Sequence, residues 1–178
     1  MRSDSRKQFE NIYQRNIRRI YGLAWKLSGF QAGEAEDLCQ ETFYRAFRSF
    51  HTYTDENHES AWLTRICINT SREMWRRRAF YSEQVEPQIV SGNADGTARS
   101  VENGMSDLEL SGKLREILKT MDPEFREVVV LRHMEGYDTR EVSERMDIPE
   151  GTVRSRLKRA REIIMDRLRA GRGGSHEL

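Results

Sequence analysis

Between Tyr81 and Asp107 the chain loses every trace of helical periodicity, and that interruption constrains its fold more than any other feature. The stretch SEQVEPQIVSGNADGTARSVENGMSD carries Pro87, three glycines and the acids Glu83, Glu86, Asp95, Glu102 and Asp107, with Arg99 as its one base. A segment of this composition cannot bury enough apolar surface to offset the entropy of ordering its backbone. It reads as a flexible acidic linker over 81–107, dividing the 178 residues into an N-terminal domain, 1–80, and a C-terminal domain, 108–170. The glycine-rich tail, 171–178, is expected to be disordered. Lobes of about 60–75 residues bury only about 60% of the surface their unfolded chains expose. Each is marginal alone, which suits a function carried out inside a larger assembly.

Both lobes read as helical, so the expected fold class is all-α: two small helical domains, the second containing a helix-turn-helix. Only three prolines occur, and no strand-like alternation survives a count. Phe9, Ile12/Tyr13, Ile17, Ile20/Tyr21, Ala24 and Leu27 recur at helical spacing until Ser28-Gly29 stops the run. Ala35, Leu38/Cys39, Thr42/Phe43 and Ala46/Phe47 repeat the pattern in a second helix. Phe50 to Glu59 (FHTYTDENHE) is too polar for a helix and reads as a loop with an aromatic entrance. A third helix follows, with Trp62/Leu63, Ile66/Cys67, Thr70 and Met74 on one side.

The second lobe opens with Leu108/Leu110, Leu114, Ile117/Leu118 and Met121. Asp122-Pro123-Glu124 then supplies an N-cap, a proline at the first helical position and an acid in the first turn. Phe125, Val128/Val129 and Leu131 form the expected buried face, and Gly136 ends that helix. Asp138 to Glu141 has capping-box spacing and starts a short helix burying Val142 and Met146. Asp147-Ile148-Pro149-Glu150-Gly151 breaks the chain, and a new helix runs from Thr152 to about Leu168, with Val153, Leu157, Ala160, Ile164 and Leu168 on its inner stripe. Two helices joined by so short a turn cross steeply. The outer face of the second carries Arg154, Ser155, Lys158, Arg159 and Arg161, the side chains that read guanine edges and phosphates in a major groove. A merely solvated basic face is the bland alternative; the coincidence of cap, turn and one-sided bases argues against it.

The formal net charge of +1 hides this distribution. Gly151 to Ala170 holds seven bases and two acids, 7 − 2 = +5, and a second knot gathers Arg72, Arg76, Arg77 and Arg78. Acid collects at Glu34, Glu36, Asp37 and Glu41. Local density, not the sum, governs attraction to phosphate. No run approaches about 18 apolar residues, which excludes a helical membrane span, and the polar Met1–Glu10 lacks the apolar block of a signal peptide. A cytoplasmic location is expected. Cys39 and Cys67 make no disulfide framework and no CxxC occurs. His51, Glu56, His58 and Glu59 on the polar loop could be imagined as metal ligands of a nuclease, but no helical ligand pair or nucleophile–base arrangement accompanies them. No enzyme, metal, cofactor or small-molecule substrate is expected.

In AEDLCQETFYRAFRSF (Ala35–Phe50), AWLTRICINTSREMWRRR (Ala61–Arg78) and MDPEFREVVVLRHMEGYDTREVSERMDIPEGTVRSRLKRARE (Met121–Glu162), the chain resembles the extracytoplasmic-function (ECF) sigma factors, the smallest sigma-70-family subunits of bacterial RNA polymerase. The resemblance runs from about Phe9 to Leu168, and the ordered pair of signatures is more specific than either alone. A stand-alone helix-turn-helix regulator would have no use for the first lobe.

The resemblance implies partners and site residues. Core RNA polymerase, through its clamp and flap regions, and promoter DNA are the implied partners, with a controlling anti-sigma factor besides and no membrane insertion. Asp37, Gln40, Glu41 and Phe43 match the part that docks on the clamp. Phe50 and Asn69 match a pocket for a base flipped from the −10 element, with Tyr53 and Trp62 nearby; stacking supplies about 1–3 kcal/mol per base. Arg65, Arg72, Arg76, Arg77 and Arg78 would hold strands through phosphates. Thr152, Arg154, Ser155, Lys158 and Arg159 match −35 readers, and Arg132 a phosphate contact. The loop Thr52–Glu59 lacks the glycine-containing stretch of many relatives, so no −10 base preference carries over.

Overall fold

The computed structural model of the chain describes residues 3–53, 58–84 and 105–170. Among these residues every regular element is helical. The chain forms two compact units, one on either side of residues 85–104, and each is described separately.

The first unit is a bundle of α1 (Ser3–Leu27), α2 (Ala32–Ser49) and α3 (Glu59–Gln84), each packed on the other two. The expected stop after Leu27 is built as a Schellman motif. Gly29, at φ 69°, donates to the Lys26 carbonyl at 3.2 Å, and Phe30 donates to the Trp25 carbonyl at 2.8 Å. Phe30 also has positive φ, 66°, an unusual backbone for a bulky residue. The Phe30 ring lies 6.2 Å from that of Trp25, which supplies the apolar contact such a cap carries. From this corner α2 turns its buried stripe, Ala35, Leu38, Cys39, Thr42, Phe43 and Ala46, onto Ile12, Ile20, Leu23 and Leu27 of α1 and Leu63, Cys67 and Ile68 of α3. Thr42 is tolerated in this core because its hydroxyl donates to the Leu38 carbonyl at 2.7 Å. Burial pushes the Cys39 thiol up to about 11, so it stays neutral and unreactive at physiological pH.

The second unit comprises α4 (Met105–Lys119), α5 (Pro123–Val129), α6 (Thr139–Met146) and α7 (Glu150–Ala170), with α7 packed against the other three. Its core holds Leu118, Val128, Val130, Leu131, Val142, Met146, Val153 and Ala160. Two arginines close the C-terminal end of α4. Arg126, itself buried, donates to the carbonyls of Leu118 and Lys119 at 3.1 and 3.2 Å, and Arg167 donates to that of Ile117 at 3.2 Å.

Several expectations need correction. Helix α3 continues to Gln84 and α4 begins at Met105, so residues 81–84 and 105–107 are helical although the linker was drawn over 81–107. An apolar period can fade before a helix ends, because its last turns need only backbone bonds. The remainder of the expected linker and the tail lie outside the described residues. Asp122 stands at the N-cap of α5 without a side-chain bond; preceding Pro123, it is held extended (φ −55°, ψ 137°), and its carbonyl accepts from Phe125 and Arg126. After Val129 the helix loosens into a π-helical turn, Val130–Met134, before Gly136 reverses the chain at φ 79°. Phe125, Leu157, Ile164 and Leu168 are only half-buried.

The capping box of the helix-turn-helix is as expected, but α7 begins at Glu150, so Glu150 and Gly151, expected in the break, are its first two residues. Asp138 accepts from the Glu141 N–H and Glu141 accepts from the Asp138 N–H, both at 2.8 Å. Asp147 takes the left-handed conformation (φ 54°), and Ser143 donates its hydroxyl to the Ile148 carbonyl at 2.6 Å, closing the corner between α6 and α7. Replacing Asp138 with Ala removes one half of the capping box and is expected to cost about 1 kcal/mol. Urea unfolding of the full chain checks this, reading the transition of the second unit.

Candidate nucleic-acid interface

Helix α3 presents Trp62, Arg65, Asn69, Arg72 and Arg76 at i, i+3, i+7, i+10 and i+14, one stripe of a 3.6-residue helix. At its N-terminal end the structure brings together the three expected aromatics. The rings of Tyr53 and Trp62 lie 4.7 Å apart, and those of Phe50 and Tyr53 stack at 5.9 Å with an interplanar angle of 22°. Phe50 is 6.5 Å from Trp62. Beneath Phe50, Phe9 of α1 makes an edge contact at 5.4 Å and another with Phe47 at 5.1 Å. All three shelf residues are half-buried, with part of each surface open to a stacking partner. Phe9 was read only as helix core; nothing in its spacing marks it as the floor of a shelf. Asn69 is exposed two turns further on, about 10 Å along the axis, so shelf and amide are successive stations on one face.

The arginine knot at the far end is partly spent within the fold. Glu73 accepts from Arg45 of α2 and from Arg77, and Arg45 also donates to Glu41 at 2.6 Å. The Arg45 hydrogen bond holds the Glu73 carboxyl below the ordinary glutamate range. Arg78 pairs with Glu34 at the start of α2. Arg76 is exposed and has no ion pair among the described residues, whereas Arg72 is half-buried. Of the expected phosphate contacts, Arg65, Arg76 and Arg77 are exposed, and Arg77 is shared with Glu73.

On α2, Asp37 and Gln40 are exposed, and Glu41 is half-buried through its tie to Arg45. Phe43 is a core residue, 6% exposed, with its ring 4.8 Å from Tyr13. Its contribution to a docking face is to hold α2 in place. Tyr44 (56% exposed) and Phe47 (38%) continue the stripe of Asp37 and Gln40 outward, and sequence reasoning missed them as surface residues. Their i+3, i+7 and i+10 offsets from Asp37 were the available signal.

In the second unit, Arg154, Ser155, Lys158, Arg159 and Arg161 all lie on the exposed face of α7, and Thr152 is half-buried at its start. Two readers are steadied along the helix: Arg154 by Glu150 at 2.5 Å and Arg159 by Glu162 at 3.1 Å. Two other bases of the same run serve the fold. Arg156 pairs with Glu124 of α5 at 2.9 Å, and Arg167 reaches α4. Arg132, in the π-helical turn, is half-buried and donates to the Tyr137 carbonyl at 3.3 Å, bracing the entry to α6. Arg145 lies over the Tyr137 ring at 3.8 Å on the other side of that turn. Among the described residues no group of three or more His, Cys, Asp or Glu side chains could hold a metal; of the four loop residues weighed for such a site, Glu56 is outside them.

These different engagements separate two neighbouring arginines. Arg76→Ala is expected to shrink the slope of log affinity for DNA against log salt by about one, and Arg77→Ala by less because Glu73 already claims part of its charge. Titrations at several salt concentrations check the order, and equal slopes for the two variants would contradict it.

Comparison with known proteins places both units in one family. The sigma-70 region 2 model matches residues 12–81, and the sigma-70 region 4 model matches residues 111–164. The chain is 36% identical over 160 residues to the ECF RNA polymerase sigma factor SigE of Mycolicibacterium smegmatis, covering 90% of this chain and 61% of that protein's length. It is 30% identical over 162 residues to SigW of Bacillus subtilis, covering 85% and 83%. Two solved structures share the fold: the sigma factor RpoE of Bartonella quintana with its anti-sigma factor NepR (TM-score 0.71, 21% identity, 92% of this chain and 98% of that) and CnrH with the cytosolic domain of CnrY (TM-score 0.60, 22%, 93% and 90%). With region 2 and region 4 matched in order, and SigW similar over most of its length, the chain belongs to the ECF sigma factors of the sigma-70 family, which are transcription initiation factors and not enzymes.

Proposed function

We propose that the chain binds core RNA polymerase and directs it to promoters, α7 reading duplex −35 DNA in the major groove while the shelf and Asn69 of α3 hold −10 bases once they unpair. The observation that carries this reading is the single face of α3. Aromatic surface, an exposed amide and exposed arginines follow one another along it, the combination that binds unpaired strands. A duplex reader has no need of a stacking shelf, and a single-strand binder has no need of α7. The pair makes sense only where one DNA is closed at one site and opened at another.

In this reading the Asp37–Gln40–Tyr44–Phe47 stripe of α2 meets the polymerase clamp, an acidic and aromatic face complementary to a basic helical surface. The second unit meets the flap region. The functional domains are 1–80 and 108–170, joined through 81–107, with 171–178 as a tail. An anti-sigma factor binds the chain and holds it idle; RpoE of Bartonella quintana is in complex with the anti-sigma factor NepR. The site of action is the cytosol, where the polymerase works; no described helix is long and apolar enough to cross a membrane. The chain makes and breaks no bond.

Reconstituted transcription tests the whole: the chain with bacterial core enzyme and a genomic promoter pool, sequencing the RNA 5′ ends. Starts sharing a −10/−35 pair are expected. Specific operator binding by the purified chain, without any affinity for core enzyme, would make it a stand-alone regulator. Within that assay Arg154→Ala is expected to lose about 1–3 kcal/mol and relax choice at one −35 base pair. Uniform weakening across −35 variants would make Arg154 a phosphate contact. Asn69→Ala is expected to lower permanganate reactivity of −10 thymines while core binding is retained; normal opening would remove Asn69 from the site.

A further inference from the structure

The shelf is built from two segments, Phe50 with Tyr53 and the start of α3 with Trp62, so base selection depends on how firmly the start of α3 is placed against α1. That contact is polar. Asn16 of α1, 6% exposed, donates its amide to the Ile12 carbonyl at 2.9 Å and to the Glu59 carboxylate. The other Glu59 oxygen accepts from Arg15 at 2.7 Å. Arg19 spans the same seam, donating to the Thr64 hydroxyl at 2.9 Å and the Ser60 carbonyl at 3.1 Å, and its Nε to the Asn16 amide oxygen at 3.4 Å. Residues 59 to 64 at the start of α3 are thus gripped by Arg15, Asn16 and Arg19 of α1, and Trp62 lies within that stretch.

Apolar burial is non-directional and specifies register less sharply than a polar contact does. A hydrogen-bonded carboxylate does not slide, because shifting by one residue leaves buried donors and acceptors unmet. We infer that Asn16 and Glu59, braced by Arg19, are positioning residues for −10 base selection: they fix the register of α3 on α1 and so the spacing of Trp62 from Phe50 and Tyr53. Neither residue faces the DNA. Their effect is on which base the shelf accepts rather than on how tightly the chain binds core enzyme. This rests on the reading of the shelf as the −10 base site.

The test uses the full chain with core polymerase and forked promoter DNA whose −10 strand is unpaired, each of the four bases placed in turn at each −10 position. Replacing the polar pair by an apolar one, Asn16→Leu with Glu59→Met, is expected to preserve the melting temperature and core affinity, since well-packed apolar residues often substitute for buried polar pairs without loss. Discrimination between best and worst base at the shelf position is expected to fall by about tenfold, a factor set by little more than a single misplaced stacking contact. Glu59→Gln, which keeps an oxygen for Asn16, is expected to retain most of it. Should the double variant fail to fold, Arg19→Met cuts the bonds to Ser60 and Thr64 and is expected to move discrimination in the same direction. Wild-type discrimination in the folded double variant, or in Arg19→Met if that alone folds, overturns the inference. Trp62→Ala and Asn69→Ala run alongside: if they too discriminate normally, the shelf reading falls and takes this inference with it; if they lose selection while the positioning variants keep it, only the inference falls.

Discussion

Helix α3 is fastened by charge at both ends and by packing in the middle, and the placement of its stripe, Trp62, Arg65, Asn69, Arg72 and Arg76, follows from that. At its start Glu59 is held by Asn16 and Arg15 of α1. Toward its end Glu73 takes Arg45 of α2, and Arg78 takes Glu34. Between these ties Leu63, Cys67 and Ile68 are fully buried. The apolar middle supplies most of the stabilisation; the polar ends settle where along its axis the helix sits. Surface ion pairs alone contribute little to stability, typically under about 1 kcal/mol each. Their value here is geometric: a helix pinned at two points carries a row of side chains with fixed spacing.

The same economy of charge shapes the second unit. Arg126, Arg156 and Arg167 all point back into the fold, two of them closing the carbonyl end of α4 and one joining α7 to α5. What remains outward on α7 is Arg154, Ser155, Lys158, Arg159 and Arg161. Glu150 and Glu162 lie beside two of these arginines and limit the conformations of their long side chains, which reduces the entropy a guanidinium loses on binding any partner. Thus a chain with formal net charge +1 sets out two basic faces without becoming a uniformly sticky polycation.

Much of the fold was legible in order along the chain because its determinants are local. The stop at Ser28-Gly29, the capping box of Asp138 and Glu141, and the break at Asp147-Ile148-Pro149 are each made by residues within a few positions of one another. The aromatic entrance Phe50–Tyr53 and its partner Trp62 were legible as candidates, though not as a stacked set. What could not be read was which members of a charge run look inward. Arg76, Arg77 and Arg78 are identical in sequence terms and all exposed, yet Arg77 and Arg78 are engaged by Glu73 and Glu34 while Arg76 has no ion pair among the described residues. Phe43 and Phe47 stand one turn apart on α2, but one is core and the other surface, because Tyr13 covers only the first.

By itself the amino-acid order determined the helical class, the division into two lobes and the helix-turn-helix, since periodicity, caps and turn residues act over spans shorter than about one helix. The family was legible only through the resemblance of whole segments. Tertiary structure alone decided that Asn16 reaches Glu59, that Phe9 floors the shelf, and which arginines remain available to phosphate. Each of these depends on a partner far along the chain, some forty residues away in the first two, and no local rule of spacing encodes which side chains separate elements will bring together.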